Sequence, residues 1–205
     1  MKLDAFWSTP RWHEYERAYG DAPGTRAQLV REATWQTRVV DLAQGPQWSD
    51  VRKSYRSLIH RGTYEYRIDD AEGPRLECQQ LHEAVAGRQT RPQATWDLMA
   101  EWSVRRGTIG GVWIIAADTF GTIGGYAYVV LHGQWGYYFS GVTRDYARVG
   151  AALQWYAIRW LCVSGVRWYE LGWQGHAQDG KGRDIEFFKR GFGGTDYALT
   201  AEMGD

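Results

Sequence analysis

Three consecutive runs rich in β-branched and aromatic residues, "GGVWIIAADTFG" at 110–121, "TIGGYAYVVLHG" at 122–133 and "QWGYYFSGV" at 134–142, are separated only by glycine-containing turns. Such runs read as strands. Strands joined this closely must pair antiparallel, because a parallel pair needs a crossover of a dozen or more residues. The middle of the chain is thereby committed to a β-meander. After it, Val149, Ala152, Leu153, Tyr156, Ala157, Trp160 and Leu161 recur at steps of three and four, the apolar stripe of a helix that Gly165 ends. "VRWYELGW" at 166–173 is strand-like again, so 134–172 is the one passage in which a parallel crossover fits. A mixed sheet that splays where this helix enters leaves a cleft at that point. "QGHAQDGKGR" then reads as a polar loop, "DIEFFKR" as about two helical turns, and "DYALTAEM" as a last strand.

The texture before residue 107 is different. "STPRWHEYERAYG", "TRAQLVREATWQTRVV" at 25–40, "SDVRKSYRSLIHRG" at 49–62, "LECQQLHEAV" and "RPQATWDLMAEWSVRRG" all read as helices. Their Gly and Pro residues sit at start and stop positions, with Thr9 and Ser49 as caps. Only "YEYRI" at 64–68 alternates as a short strand does. The expected division is a helix-rich part over 1–106 and a sheet-containing domain over 107–205. The fold class is α+β: a mixed, mostly antiparallel sheet flanked by helices.

Lys plus Arg and Asp plus Glu balance at 24 each, so overall charge advertises no broad polyanion-binding surface. Twelve Trp and thirteen Tyr favour aromatic-lined clefts. Cys78 and Cys162, the only cysteines, have no metal-ligand spacing, which argues against a zinc site or a disulfide scaffold. No apolar segment reaches the length of a membrane span and the first ten residues lack a signal-like core. A cytoplasmic protein without a membrane span is expected.

Some groups invite chemistry on residue grounds alone. Lys189 and Arg190 either offset the C-terminal dipole of a short helix before Gly191 or handle negative charge. Arg52, Arg56 and His60 fall at four-residue steps on one helical face, with Lys53 adjacent: a solvated face or a phosphate-binding one. Glu170, between aromatics near the end of its strand, suits a general base with a raised pKa or an ion-pair partner. His176, Asp179 and Asp184 line the glycine-rich loop. Tyr137 or Tyr138 is a proton donor to a leaving group, strand alternation turning only one of them inward.

"ALQWYAIRWLCVSGVRWYELG" followed by "FFKRGFGG", together with "WSDVRKSYRSLIHRG" and "AGRQTRP", resembles the FemABX-like branch of the GNAT acyltransferases, the aminoacyl-tRNA-dependent enzymes that build peptidoglycan cross-bridges. The resemblance implies a GNAT-like domain over 107–205 behind a reduced first Fem-like half. It implies amide formation on an amine acceptor of small-molecule or nucleotide-linked type. Aminoacyl-tRNA is the favoured donor and acyl-CoA the other, with no permanently bound cofactor. In that family the Lys of a Phe-Lys pair stabilises the oxyanion, which points to Lys189 beside Phe188. GNAT enzymes resemble one another in a Q/R-x-x-G-x-G/A loop that receives the coenzyme A pyrophosphate at a helix start. Gly150 and Ala152 match its end, but Ala147 stands at its first position, so Arg144 or Arg148 would supply the charge, with Arg190 a further phosphate contact. A first half this short suggests a homodimer that completes the cleft.

Overall fold

The computed structural model describes residues 35–69, 74–104, 109–145, 149–173 and 180–199. The helix expected at 8–20, and Arg148, His176 and Asp179, lie outside the described residues. The strands are β1 (Trp35–Asp41), β2 (Glu65–Asp69), β3 (Ile109–Ala117), β4 (Ile123–His132), β5 (Trp135–Thr143), β6 (Trp168–Trp173) and β7 (Thr195–Leu199). The helices are α1 (Lys53–His60), α2 (Arg75–Ala86), α3 (Gln93–Val104), α4 (Ala151–Val163) and α5 (Gly180–Arg190). All seven strands join one sheet in the order β2-β3-β4-β5-β6-β1-β7. The ladders are antiparallel except β5 with β6, so the expected crossover lies where the spacing of the elements put it.

One expectation is overturned. The helical reading of 25–40 fails over its C-terminal part, where residues 35–41 form β1 between β6 and β7. Within it Thr37 and Val39 alternate inward and are buried, a period of two that outweighs the helical spacing read across the longer window. The sheet thus draws β1 and β2 from before residue 107 and the rest from after it. Smaller differences concern boundaries. A short 3₁₀ turn at Trp48–Asp50 precedes α1, which begins after Arg52 without a side-chain cap, so Ser49 does not cap it. The "GKGR" stretch, expected as loop, forms the first turn of α5.

Alternation along β3 divides the core. Val112, Ile114 and Ala116 pack with α4 and α1, whereas Trp113, Ile115 and Ala117 pack with α2 and α3. Trp96, Met99, Trp102, Trp113, Tyr126 and Tyr128 supply the bulk on the second face, each buried. Burying one such side chain contributes about 1.5–3 kcal/mol or more, which offsets the entropy of fixing the layers. Of the α4 stripe, Val149, Ala152, Leu153, Ala157 and Leu161 are buried. Gln154 and Ile158 are buried with them, so this helix is covered around more of its circumference than one stripe.

The segment after α5 shows what its glycines do. Gly193 and Gly194 adopt φ of 77° and 82°, a region in which an L side chain is strained. Their carbonyls accept from Arg38 on β1: Nε to Gly193 O at 2.6 Å and Nη2 to Gly194 O at 2.8 Å. Arg38 Nη1 also meets Asp196 Oδ1 at 2.7 Å, which fixes where β7 starts.

Candidate active site

The parallel ladder between β5 and β6 is short, running from Trp135↔Trp168 to Tyr137↔Glu170. Beyond it β5 stays paired with β4 as far as Thr143, while β6 bends away through Gly172, whose φ is 74°. The strands part, and a cleft of about 620 Å³ opens between them. Its walls come from β5, from the start of α4 through Gly150, Leu153 and Gln154, and from α5 through Asp184, Phe188 and Lys189.

A bulge shapes the β5 wall. Val129 pairs with Tyr138 and Tyr128 with Ser140, so Phe139 is the extra residue. Simple alternation would put Ser140 on the side opposite Phe139. The bulge instead turns both toward Tyr126, whose hydroxyl lies 2.9 Å from Ser140 Oγ. Tyr137 and Tyr138 both line the cleft, which corrects the expectation that only one would face it. The cleft passes through the gap between the strands and so meets both faces of β5.

Lys189 is 8% exposed, and burial pulls its ammonium pKa down to about 7, partly opposed by the charge of Glu170. Glu170 is 2% exposed and accepts from Thr37 Oγ1 at 2.8 Å. It does not belong to the cleft lining, so its place is behind Lys189, as a charge partner. Gln154 accepts from Tyr169 Oη at 2.9 Å and also bonds the Tyr138 hydroxyl, whose pKa burial pushes up to about 12. Both tyrosines are therefore neutral near pH 7.

Of the residues singled out from sequence, Lys189, Phe188, Gly150 and Asp184 meet at the cleft together with both tyrosines. The other cations do not line it. Arg190 is bound to Glu186 at 2.8 Å and Asp196 at 3.1 Å. Arg144 is exposed, and its backbone N–H donates to Gly124 O at 2.9 Å. Arg52 lays its guanidinium 3.5 Å from the Phe187 ring centroid, and its backbone N–H donates to Gly191 O. Lys53 and His60 face outward, Arg56 is half-buried, and His60 lies edge-on to Trp48 at 5.3 Å. The α1 helix instead presents Tyr55 to Phe188 and Phe192, with ring centroids 5.9 and 5.4 Å away. It therefore supports α5 from behind.

Sequence reasoning missed Arg91, Ser140 and Gln154 as lining residues. Arg91 carried one signal, its place in the "AGRQTRP" stretch. Ser140 carried none, because its orientation depends on the bulge.

The splayed parallel pair, the crossover helix starting at the splay and the flanking helices define an acyltransferase fold of the GNAT type. A family model described as Acetyltransferase (GNAT) domain matches residues 47–190, and the chain belongs to that family. Among solved structures it is similar to FemX, at 10% identity and a TM-score of 0.62 over 80% of this chain. It is also similar to L-PGS from Bacillus licheniformis, at 12% identity and a TM-score of 0.52 over 71% of this chain. A C-terminal DUF2156 domain from Agrobacterium fabrum matches at 12% identity and a TM-score of 0.56 over 79% of it. The chain spans 60%, 47% and 57% of those three structures, respectively. At these identities the likeness is one of fold. No curated protein matches the chain.

Proposed function

We propose that this protein is a Fem-like N-acyltransferase that joins an activated acyl group to an amine acceptor in the cleft between β5 and β6. The acceptor nitrogen attacks the acyl carbonyl, a C–N bond forms and the C–O or C–S bond to the leaving group breaks. The amine gives up one proton and the leaving atom takes one, so the reaction closes as an amide plus a free hydroxyl or thiol. The observation that carries this reading is Lys189, a buried amine on the wall of an aromatic cleft with a pKa of about 7. In the resting cleft its ammonium is poorly stabilised. An oxyanion forming beside it would raise its pKa, so the attraction is stronger in the transition state than in the ground state, as catalysis requires. Tyr138, a neutral hydroxyl on the same wall, is the proton donor to the leaving atom.

The favoured donor is aminoacyl-tRNA, supported by the Fem-like sequence and by Ala147 where the coenzyme loop carries Arg or Gln. In this reading the outward face of α1, with Lys53, Arg56 and His60, meets donor phosphates from outside the cleft. Acyl-CoA is the second reading, favoured by Gly150 and the start of α4 on the cleft wall, where backbone N–H groups suit a pyrophosphate.

Intact-mass detection of product, with purified aminoacyl-tRNA or acetyl-CoA and a panel of amines, tests the proposal. Amide that RNase abolishes assigns the first donor, and amide indifferent to RNase assigns the second. Full turnover by Lys189→Ala would remove the oxyanion role. Ligand binding without consumption of any donor would make the protein a binding module instead.

A further inference from the structure

Arg91, two residues before α3, reaches the cleft from the α2/α3 side of the sheet. Arg38, Arg75 and Arg190 are each held by a carboxylate. Among the described residues Arg91 has none. It neighbours His82, with Nη1 3.4 Å from Nε2, and the Phe139 ring, whose centroid is 6.0 Å from its guanidinium carbon. A guanidinium carries five N–H donors and accepts nothing, so these contacts leave most of its capacity unused on a residue that lines the cleft.

The groups behind it form a chain with a direction. Arg91 can only donate, so His82 Nε2 accepts and the imidazole proton resides on Nδ1. Nδ1 is 2.7 Å from Tyr126 Oη and donates to it. The Tyr126 hydroxyl in turn donates to Ser140 Oγ at 2.9 Å. That sequence leaves the Ser140 proton as the last donor, on a hydroxyl that lines the cleft. Tyr126 stays a neutral O–H, because burial raises its pKa far above the ordinary tyrosine value. Both ends of the chain thus offer donors to the same cavity. A group placed there must be an acceptor, and the fixed positive charge favours an anionic one while repelling an ammonium.

We propose that Arg91 and Ser140, oriented through His82 and Tyr126, form a subsite that binds a carboxylate or phosphate group of the acceptor. The amine acceptor would then carry an oxyanion as well as its nucleophilic nitrogen. This rests on the amine-acylation reading for the word acceptor, but the subsite itself is measurable without turnover. The Phe139 bulge has a purpose in this arrangement, since without it Ser140 would face away from Tyr126.

Matched pairs of small amines test it by ligand-observed NMR titration of the full chain: O-phosphoethanolamine against ethanolamine, and β-alanine against propylamine. The wild type should bind the anionic member of at least one pair ten-fold or more tightly than its neutral twin. The pair that responds separates phosphate from carboxylate. Arg91→Gln should reduce that ratio below two-fold. Ser140→Ala, a smaller change that keeps the sheet intact, should reduce it at least three-fold and stands alone if Arg91→Gln does not fold. Equal binding of both twins in both pairs, or a ratio retained in Ser140→Ala or in folded Arg91→Gln, overturns the subsite. An Arg91-dependent preference with no amide from any donor leaves the subsite standing and removes the acyl-transfer reading. Amide formed equally well on both twins does the reverse.

Discussion

The Thr37 hydroxyl donates to Glu170 Oε1 across 2.8 Å, so a strand from the first fifth of the chain braces the carboxylate that faces Lys189. Both residues are buried, and a hydrogen bond to a buried charge contributes about 1.5–3 kcal/mol. Thr37→Val keeps the shape and removes the donor. Its free energy of unfolding in urea should fall by about that amount, and an unchanged midpoint would show that the contact carries no net stability.

Glu170 also sets the pH response. If the ammonium form of Lys189 is the active one, kcat/KM falls as pH rises through about 7, where this lysine loses its proton. Glu170→Gln removes the charge that holds the proton on, so the alkaline limb should move to lower pH. Lys189→Met should erase that limb and lower kcat about 10²–10³-fold, the scale of losing one oxyanion donor. A limb that stays in place in Glu170→Gln would separate the two residues electrostatically.

Burial of Lys189 should cost stability in a definite pH window. The folded pKa of about 7 lies below the ordinary 10.5, so between those values the unfolded chain binds a proton that the folded chain does not. Stability from this group therefore rises with pH from about 7 to 10.5, and the full penalty is present below 7. Lys189→Met should be the more stable protein at pH 6, by a few kcal/mol at most given about 1.36 kcal/mol per pKa unit. The advantage should shrink by pH 9.5. Urea midpoints of both proteins at the two pH values measure it.

The basic face of α1 gives a test confined to the tRNA donor. Lys53→Gln with Arg56→Gln removes two cations that lie outside the cleft lining. If they meet phosphates, KM for aminoacyl-tRNA should rise and its log–log salt slope should fall by about one per contact. A slope identical to wild type would leave that face a solvated one.

Much of this site was legible because local pattern and site coincide where strands and helices alternate with short connections. The meander, the crossover and the splay all follow from the runs at 110–142 and the stripe from Val149 to Leu161. Lys189 and Phe188 were legible from the Phe-Lys-Arg-Gly wording. What was not legible depends on contacts distant in sequence. β1 is a strand because β6 and β7 flank it, 133 residues separating Thr37 from Glu170. Ser140 faces Tyr126 because of one unpaired residue in β5, and Arg190 is ion-paired outside the cleft lining because Asp196 returns beside it.

Arg38 holds the last of these arrangements together. Its three guanidinium nitrogens donate to the Gly193 and Gly194 carbonyls and to Asp196, and burial lowers its pKa against the opposing pull of Asp196. The turn it clamps follows directly on α5, the helix that carries Lys189. Arg38→Met keeps the apolar stem and removes every donor, leaving two carbonyls and a carboxylate without this partner. The β7 ladder, which among the described residues pairs with β1 alone, should open first. Amide exchange over 195–199 should speed up about 10–100-fold, as expected for losing hydrogen bonds worth 1.5–3 kcal/mol. Loosening the end of α5 should let water reach Lys189, so its pKa should rise and the alkaline limb of activity should move to higher pH, opposite to the effect of Glu170→Gln. Faster exchange at 195–199 with an unmoved limb would mean that the clamp secures the edge strand alone.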